Sequence, residues 1–333
     1  MTRELNRRQF LAGSIAASAA LVHGCQDSPR WGRDAYRKTQ QSRVAILGAQ
    51  SYEAPLREVL IKGLKLFGLD VGNKRVVLKP NLVEYDPAGA INTHPMVIHA
   101  AIEAFKTLGA REVTVAEGPG HRRDNEYLVT ASGLYSAIKD AKSRYIDLNQ
   151  DDVRPVKLRS RFSSLGTLYL PDAALGADLL VSMPKLKTHH WAGVTLAMKN
   201  MFGLVPGAVY GWPKNILHWS GLQESILDIN SSLTMPQFAI VDGIVGMEGN
   251  GPIQGRPKHC GALILGNDWV SVDATAARLM NVDPKKIPYL QRAGEFLGNV
   301  ERGSIEQVGE SPDKFQQDFE LIPLFQPLKN MSG

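Results

Sequence analysis

From residue 43 onward, short apolar runs rich in β-branched residues alternate with stretches whose apolar positions recur every three or four residues. Arg43-Val-Ala-Ile-Leu-Gly48 reads as a first strand, and Leu56, Val59, Leu60, Leu64 and Phe67 line one face of a helix after Pro55. Val76-Val-Leu78 is a second strand, running into Lys79-Pro80-Asn81. A helix is predicted from His94 to Leu108, with Thr93 as N-cap, Pro95 in the first turn and Gly109 closing it. A third strand, Glu112 to Ala116, ends in Glu117-Gly-Pro-Gly120. Tyr145–Asp147, Thr167–Leu170, Leu179–Ser182, Phe238–Val241 and Ala262–Leu265 read as further strands, the last followed by a helix from Asp273 to Met280. Strands that are apolar throughout, alternating with helices, predict an α/β fold: a mainly parallel sheet with helices on both faces. No repeat or linker divides residues 43–330, so a single domain is expected.

Upstream of residue 43 the pattern changes. Asn6-Arg7-Arg8-Gln9-Phe10-Leu11 sets paired arginines before an uncharged stretch, Leu11 to Val22, long enough for a signal-peptide core but short for a bilayer span. Paired arginines there are the address of the twin-arginine translocase. Residues 1–25 are expected to be that signal, making the translocase a partner during export and placing the mature protein on the periplasmic side. Val22-His23-Gly24-Cys25 resembles a lipobox, although His23 stands where a small residue is usual. A lipidated Cys25 would attach the domain to a membrane through acyl chains. Residues 26–42, polar and basic, are expected to form a tether.

Charge and cysteine count remove several function classes. The net charge is +5, yet residues 1–42 carry seven basic against three acidic side chains. The domain itself is close to neutral, so a nucleic-acid partner is not expected. Cys25 and Cys260 are the only cysteines. They are too few for a cysteine-ligated iron–sulfur cluster, and no zinc-finger spacing is present.

Ligands of open α/β sheets collect beyond the carboxyl ends of the strands. Four predicted strand ends there carry charged groups beside Pro or Gly: Lys79-Pro80-Asn81, Glu117 to His121, Pro184 to His190, and Asp242-Gly243 with Glu248 to Pro252. The segment Pro184–Gly207 gathers Lys185, Lys187, His189, His190, Lys199 and Asn200, with a short helix over Thr195–Met201 whose N-terminus can add backbone donors. Lysine suits phosphate or carboxylate, so Lys79, Asn81, Lys185, Lys187, Lys199 and Asn200 are the expected contacts of a small anionic ligand. A solvated loop with water-facing lysines is the competing reading. His94 and His189 are candidates for moving protons, with Asp242 or Glu248 as orienting partner or base. For His94 the alternative is simple contact with a helix end. His189 and His190 with Glu117, Asp242 or Glu248 would be the donors of a metal, whose presence stays open along with any organic cofactor. Gly249-Asn-Gly251 with Gly255 has the wrong spacing for a dinucleotide loop and reads as a turn. Asp273 is expected to cap or begin its helix. Serine-hydrolase and zincin signatures are absent.

Lys79-Pro80-Asn81, Thr93-His94-Pro95, Met183-Pro-Lys-Leu-Lys-Thr-His189, Met198-Lys-Asn-Met-Phe-Gly203 and Val241-Asp-Gly243 together resemble the bacterial and archaeal family called domain of unknown function 362. Some of its members carry an added ferredoxin-like cysteine module; this chain lacks those cysteines, so the iron–sulfur association is not carried over. The resemblance implies the domain extent and the site residues, and no established reaction. Three function classes follow: an enzyme using acid–base chemistry on a small phosphorylated or carboxylated substrate (an isomerase, racemase or hydrolase), an anion- or metal-binding lipoprotein without catalysis, and a redox or cofactor-bearing partner protein.

Overall fold

The computed structural model describes residues 31, 36, 38–120, 124–212 and 214–329. The signal and lipobox readings on residues 1–25 lie outside the described residues, as does His121.

Strands β1 (Ser42–Gly48), β2 (Arg75–Pro80), β3 (Glu112–Glu117) and β4 (Arg144–Asp147) lie near the predicted positions. β5 (Val153–Val156) and β6 (Leu168–Pro171) pair antiparallel in a small separate sheet. The Thr167–Leu170 run is therefore not a strand of the main sheet. β7 (Leu179–Met183), β8 (Lys185–His189), β9 (Gly193–Thr195), β10 (Gln237–Asn250), β11 (Gln254–Gly266) and β12 (Ile305–Gly309) complete the set. The main path runs β12-β1-β11-β10-β7-β2-β3-β4, with β8 beside the far half of β10 and β9 beside β8. Along that path every neighbouring pair is parallel except those made by β11.

Alternation along each strand sends side chains to two separate cores. Ala45, Leu47, Val76, Leu78, Val113, Val115, Val181 and Ile240 join one cluster. It is covered by α1 (Leu56–Lys65) and α2 (Pro95–Thr107), with α3 (Asn125–Ala131) and α4 (Leu134–Asp140) behind. Val44, Ile46, Val77, Ala116, Leu180, Ala239 and Val241 join the other. Among the helices that follow α5 (Asp172–Leu175), it takes in residues of α6 (Ala197–Asn200), α7 (Gly207–Tyr210), α8 (Asn215–Trp219), α9 (Leu222–Ser232), α10 (Trp269–Leu279) and α11 (Pro288–Phe296). Both sheet faces are covered, which explains why the strands read as unbroken apolar runs.

Helix ends differ from expectation in instructive ways. His94, not Thr93, is the N-cap of α2, its Nδ1 accepting from Met96 N at 3.2 Å. Thr93 instead donates to Met183 O and accepts from Asn81 N, tying the loop after β2 to β7. α10 begins at Trp269 under an Asp268 cap, so Asp273 lies inside the helix. The stretch read as a tether is partly docked: the Trp31 ring stacks on Phe296 at 4.7 Å and on Phe162 at 5.7 Å. Tyr36 OH donates to Ser231 O at 3.0 Å. Aromatic area is worth covering even in a polar segment.

Candidate functional site

A cavity of about 460 Å³ opens beyond the carboxyl ends of the parallel strands. β2 delivers Lys79 and, one residue past its end, Asn81; β3 delivers Glu117; β8 delivers Lys187 and His189. α6 adds Lys199 and Asn200, the start of α8 adds Lys214, and the β10–β11 turn closes the rim with Asn250, Pro252 and Gln254.

The four lysines are held differently. Lys79 Nζ pairs with the Glu117 carboxylate and donates to Asn200 Oδ1 at 3.1 Å and to Pro80 O at 2.9 Å. Burial lowers the affinity of Lys79 for its proton and raises that of Glu117, each opposed by the partner's charge. Gly203 is required beside this pair, because a Cβ there would overlap both the Glu117 carboxylate and Lys79 Nζ. Lys187 Nζ donates to Ile91 O at 2.7 Å and Pro252 O at 3.3 Å, joining the β2–α2 loop to the hairpin turn. Burial, then Lys185 and Lys199, push its pKa well below that of a free lysine. Lys214 Nζ donates to Gly118 O at 2.6 Å and Phe202 O at 3.3 Å, and burial lowers it to about 7.

Lys199 stands apart. Its ammonium lies 4.0 Å from the centre of the Phe202 ring and has no hydrogen-bond acceptor among the described residues. Burial first, then the Lys79 charge, lower it to about 7. α6 does not aim free N–H groups at the cavity, as the sequence reading expected. Asp273 accepts from Ala197 N at 2.7 Å and Met198 N at 3.0 Å, occupying that helix end. Burial raises Asp273 to about 8 against the pull of those two N–H groups.

His189 Nδ1 accepts from Trp191 N at 3.0 Å and Ala192 N at 3.2 Å, so the neutral ring carries its proton on Nε2. Burial and the surrounding Lys199, His190 and Lys187 hold its pKa well below the usual imidazole value. It is thus a neutral donor. Two wall atoms, Asn81 Oδ1 and Thr195 Oγ1, are buried without a hydrogen-bond partner among the described residues. A buried polar atom left unpaired costs free energy until a ligand or water meets it. At the mouth Trp191 is 59% exposed, its ring edge-on to His190 at 4.7 Å and to His218 at 5.2 Å.

Four expected site residues lie outside this cavity. Lys185 stands opposite Asp242 in the β8–β10 register. It donates to Asp242 Oδ2 at 2.6 Å and to Tyr52 OH at 2.9 Å. Tyr52 stacks on the His94 ring at 3.6 Å, and His94 N donates to Asp242 Oδ2 at 2.9 Å. Burial lowers His94, against Asp242 and aided by Lys185. This buried network fastens three elements together, with His94 and Asp242 away from the cavity. Glu248 lies on β10 and accepts from Arg256 Nε at 2.9 Å and from Glu320 N at 2.9 Å. Against the opposing effect of burial, Glu320 N, Arg256 and Lys258 hold its carboxyl low. That suits an ion pair better than a base.

Lys79, Asn81, Lys187, His189, Lys199 and Asn200 line the cavity as their motifs suggested, and Glu117 joins them as the partner of Lys79. Lys214, Thr195 and Phe202 were missed. Lys214 carried one faint signal, its place beside Gly211 and Pro213. His189, His190, Glu117, Asp242 and Glu248 do not converge, and no group of three metal-type donors does so among the described residues.

The fold and cavity define a mainly parallel α/β protein with a lysine-lined pocket at the carboxyl edge of its sheet. The model of the family described as "Domain of unknown function (DUF362)" matches residues 76–278, and the chain belongs to that family. The thylakoid-associated protein sll1697 of Synechocystis sp. is 29% identical over 274 residues, 77% of this chain and 79% of that protein. Among solved structures, the lactate racemase apoprotein from Thermoanaerobacterium thermosaccharolyticum is similar over 67% of this chain, at 17% identity and a TM-score of 0.37. A protein from Thermotoga maritima is similar over 70% of this chain, at 12% identity and a TM-score of 0.37. This chain spans 54% and 60% of those two chains.

Proposed function

We infer that the chain is an enzyme that binds a small phosphorylated or carboxylated anion in this cavity and moves a proton on it. The observation that carries this reading is the collection of Lys79, Lys187, Lys199 and Lys214 around one space, against only Glu84 and Glu117 among the described residues. Cations are costly to bury together, and a bound anion offsets that cost. Asn81 Oδ1 and Thr195 Oγ1 give the ligand further partners. Lys199, able to lose its proton near neutrality, is the amine suited to take up and return a proton, and His189 is the neutral donor that steadies developing negative charge. His94, Asp242 and Glu248 have structural parts in this reading. The place of action, outside the cytoplasmic membrane after twin-arginine export and with a lipid anchor at Cys25, is supported by the residue pattern of 1–25.

Sulfate, which keeps its charge across neutral pH, tests the anion site by calorimetry. Its affinity is expected to weaken as pH rises through about 7, because Lys199 and Lys214 lose their protons there. Lys187→Ala should cost about 1.5–3 kcal/mol of binding, the worth of a charge-assisted hydrogen bond. Sulfate binding that is absent, or indifferent to both pH and Lys187, would sink this reading. Saturable anion binding with no turnover of any phosphorylated or carboxylated metabolite would instead favour a binding protein.

A further inference from the structure

Among the four cavity lysines, three are anchored. Lys79 holds a carboxylate, and Lys187 and Lys214 hold backbone carbonyls. Lys199 holds no acceptor among the described residues; its ammonium lies over the ring of Phe202, and both residues line the cavity. An amine needs that freedom to act as a nucleophile, since an anchored ammonium has neither its lone pair nor its mobility. Neighbouring cations and burial are the means by which a lysine is kept neutral for attack. Lys79 supplies the first, opposed in part by the Glu117 carboxylate, and the cavity wall supplies the second.

We propose that Lys199 is a covalent nucleophile that condenses with the carbonyl carbon of a small 2-oxo acid, forming an imine in the cavity. The proposal rests on reading the cavity as an anion site and names the substrate class of that site. The 2-oxo carboxylate sets a negative charge beside the anchored lysines and a carbonyl within reach of the free one. The Lys199 lone pair forms the C–N bond while the carbonyl π pair moves to oxygen, which takes a proton. The C–O bond of the resulting carbinolamine then breaks, and water departs with a second proton. Both protons come from the attacking nitrogen by way of neighbouring ammonium groups, so the sum is one carbonyl and one amine giving one imine and one water. Asn81 Oδ1 and Thr195 Oγ1, unpaired in the wall, can accept from and donate to the carbinolamine hydroxyl. An imine acidifies the adjacent C–H, which connects this step to proton transfer.

The test is reductive trapping on the full chain with sodium cyanoborohydride and either pyruvate or 2-oxoglutarate, read by intact mass and peptide mapping. One adduct per chain is expected, on Lys199, suppressed by excess sulfate and lost in Lys199→Arg. Lys199→Met gives the same readout if the arginine variant fails to fold, and mapping of the unaltered chain stands independently of either. No adduct with either acid overturns the proposal, as do adducts scattered over surface lysines and unchanged in the variants. Thermal stabilisation by pyruvate, 2-oxoglutarate, lactate and sulfate is measured in parallel. Stabilisation without trapping overturns the covalent step and leaves the anion site standing. Absence of both removes the anion site as well.

Discussion

Lys185 and Lys187 sit two positions apart on one short strand and have different fates. Lys185 faces Asp242 across the strand pair and is neutralised there, at 2% and 0% side-chain exposure respectively. Lys187 lies where the register shifts, opposite Met247, and meets carbonyl oxygens and the cavity instead. Asp242→Asn should therefore act on the fold: it strands a buried ammonium and is expected to cost about 3–5 kcal/mol in chemical denaturation. Adding Lys185→Met should recover much of that loss, because the uncompensated charge goes with it. If Asp242→Asn leaves stability unchanged and abolishes activity, Asp242 belongs to the chemistry. At this scale the residue types were legible and their pairing was not. Lysines beside Pro at a strand end suggested an anion site, but which of two neighbouring lysines reaches the cavity depends on a register shift in a strand more than fifty residues away.

The element that closes the site is the long hairpin of β10 and β11. Its turn reaches over β8, where His190 N donates to Gly251 O at 2.8 Å and Thr188 Oγ1 donates to Gly249 O at 2.8 Å. A Cβ on Gly251 would overlap the Thr188 carbonyl. Gly251→Ala is expected to push the turn off β8, weakening sulfate binding while changing global stability by less than Asp242→Asn does. Calorimetry beside chemical denaturation would check both parts, and unaltered sulfate affinity would show that the turn does not shape the cavity. The sequence reading found only Phe238–Val241 and Ala262–Leu265 of this hairpin. Between them, glycines and charged residues hide the pattern, since Glu248, Arg256 and Lys258 satisfy one another across the two strands. β8 was hidden for the same reason: Lys185 and Lys187 are polar by composition and buried by partnership.

For the whole molecule, the cavity links stability to pH. Lys199 and Lys214 fall from 10.5 to about 7 on folding, so between those values the unfolded chain binds more protons than the folded one. Their contribution is fully present above 10.5 and is lost as pH falls through about 7. Asp273 acts oppositely: raised from 3.8 to about 8, it contributes fully below 3.8 and loses that contribution as pH rises through about 8. The ligand-free protein should accordingly gain stability from the lysines as pH rises above about 7, and Lys199→Met should be more stable than the unaltered chain at pH near 6. Denaturation curves across that range decide it; a variant no more stable at the acidic end would mean that the Lys199 charge is not costly in the folded state. Among the described residues no helix is long and apolar enough to cross a membrane.

The order of apolar runs, by itself, determined the α/β class, the two-sided cover of the sheet and the carboxyl ends of β2, β3 and β7, because strands buried on both faces must be apolar throughout. It also marked Lys79, Asn81, Lys187, His189, Lys199 and Asn200 by type and position. Only the tertiary structure decided that Lys214 joins them, that Lys185, Asp242 and His94 form a separate buried network, and that Lys199 is left without an acceptor. Those outcomes depend on which side chains meet across the sheet. A buried charge is neutralised by its neighbours in space, and sequence spacing does not carry that information.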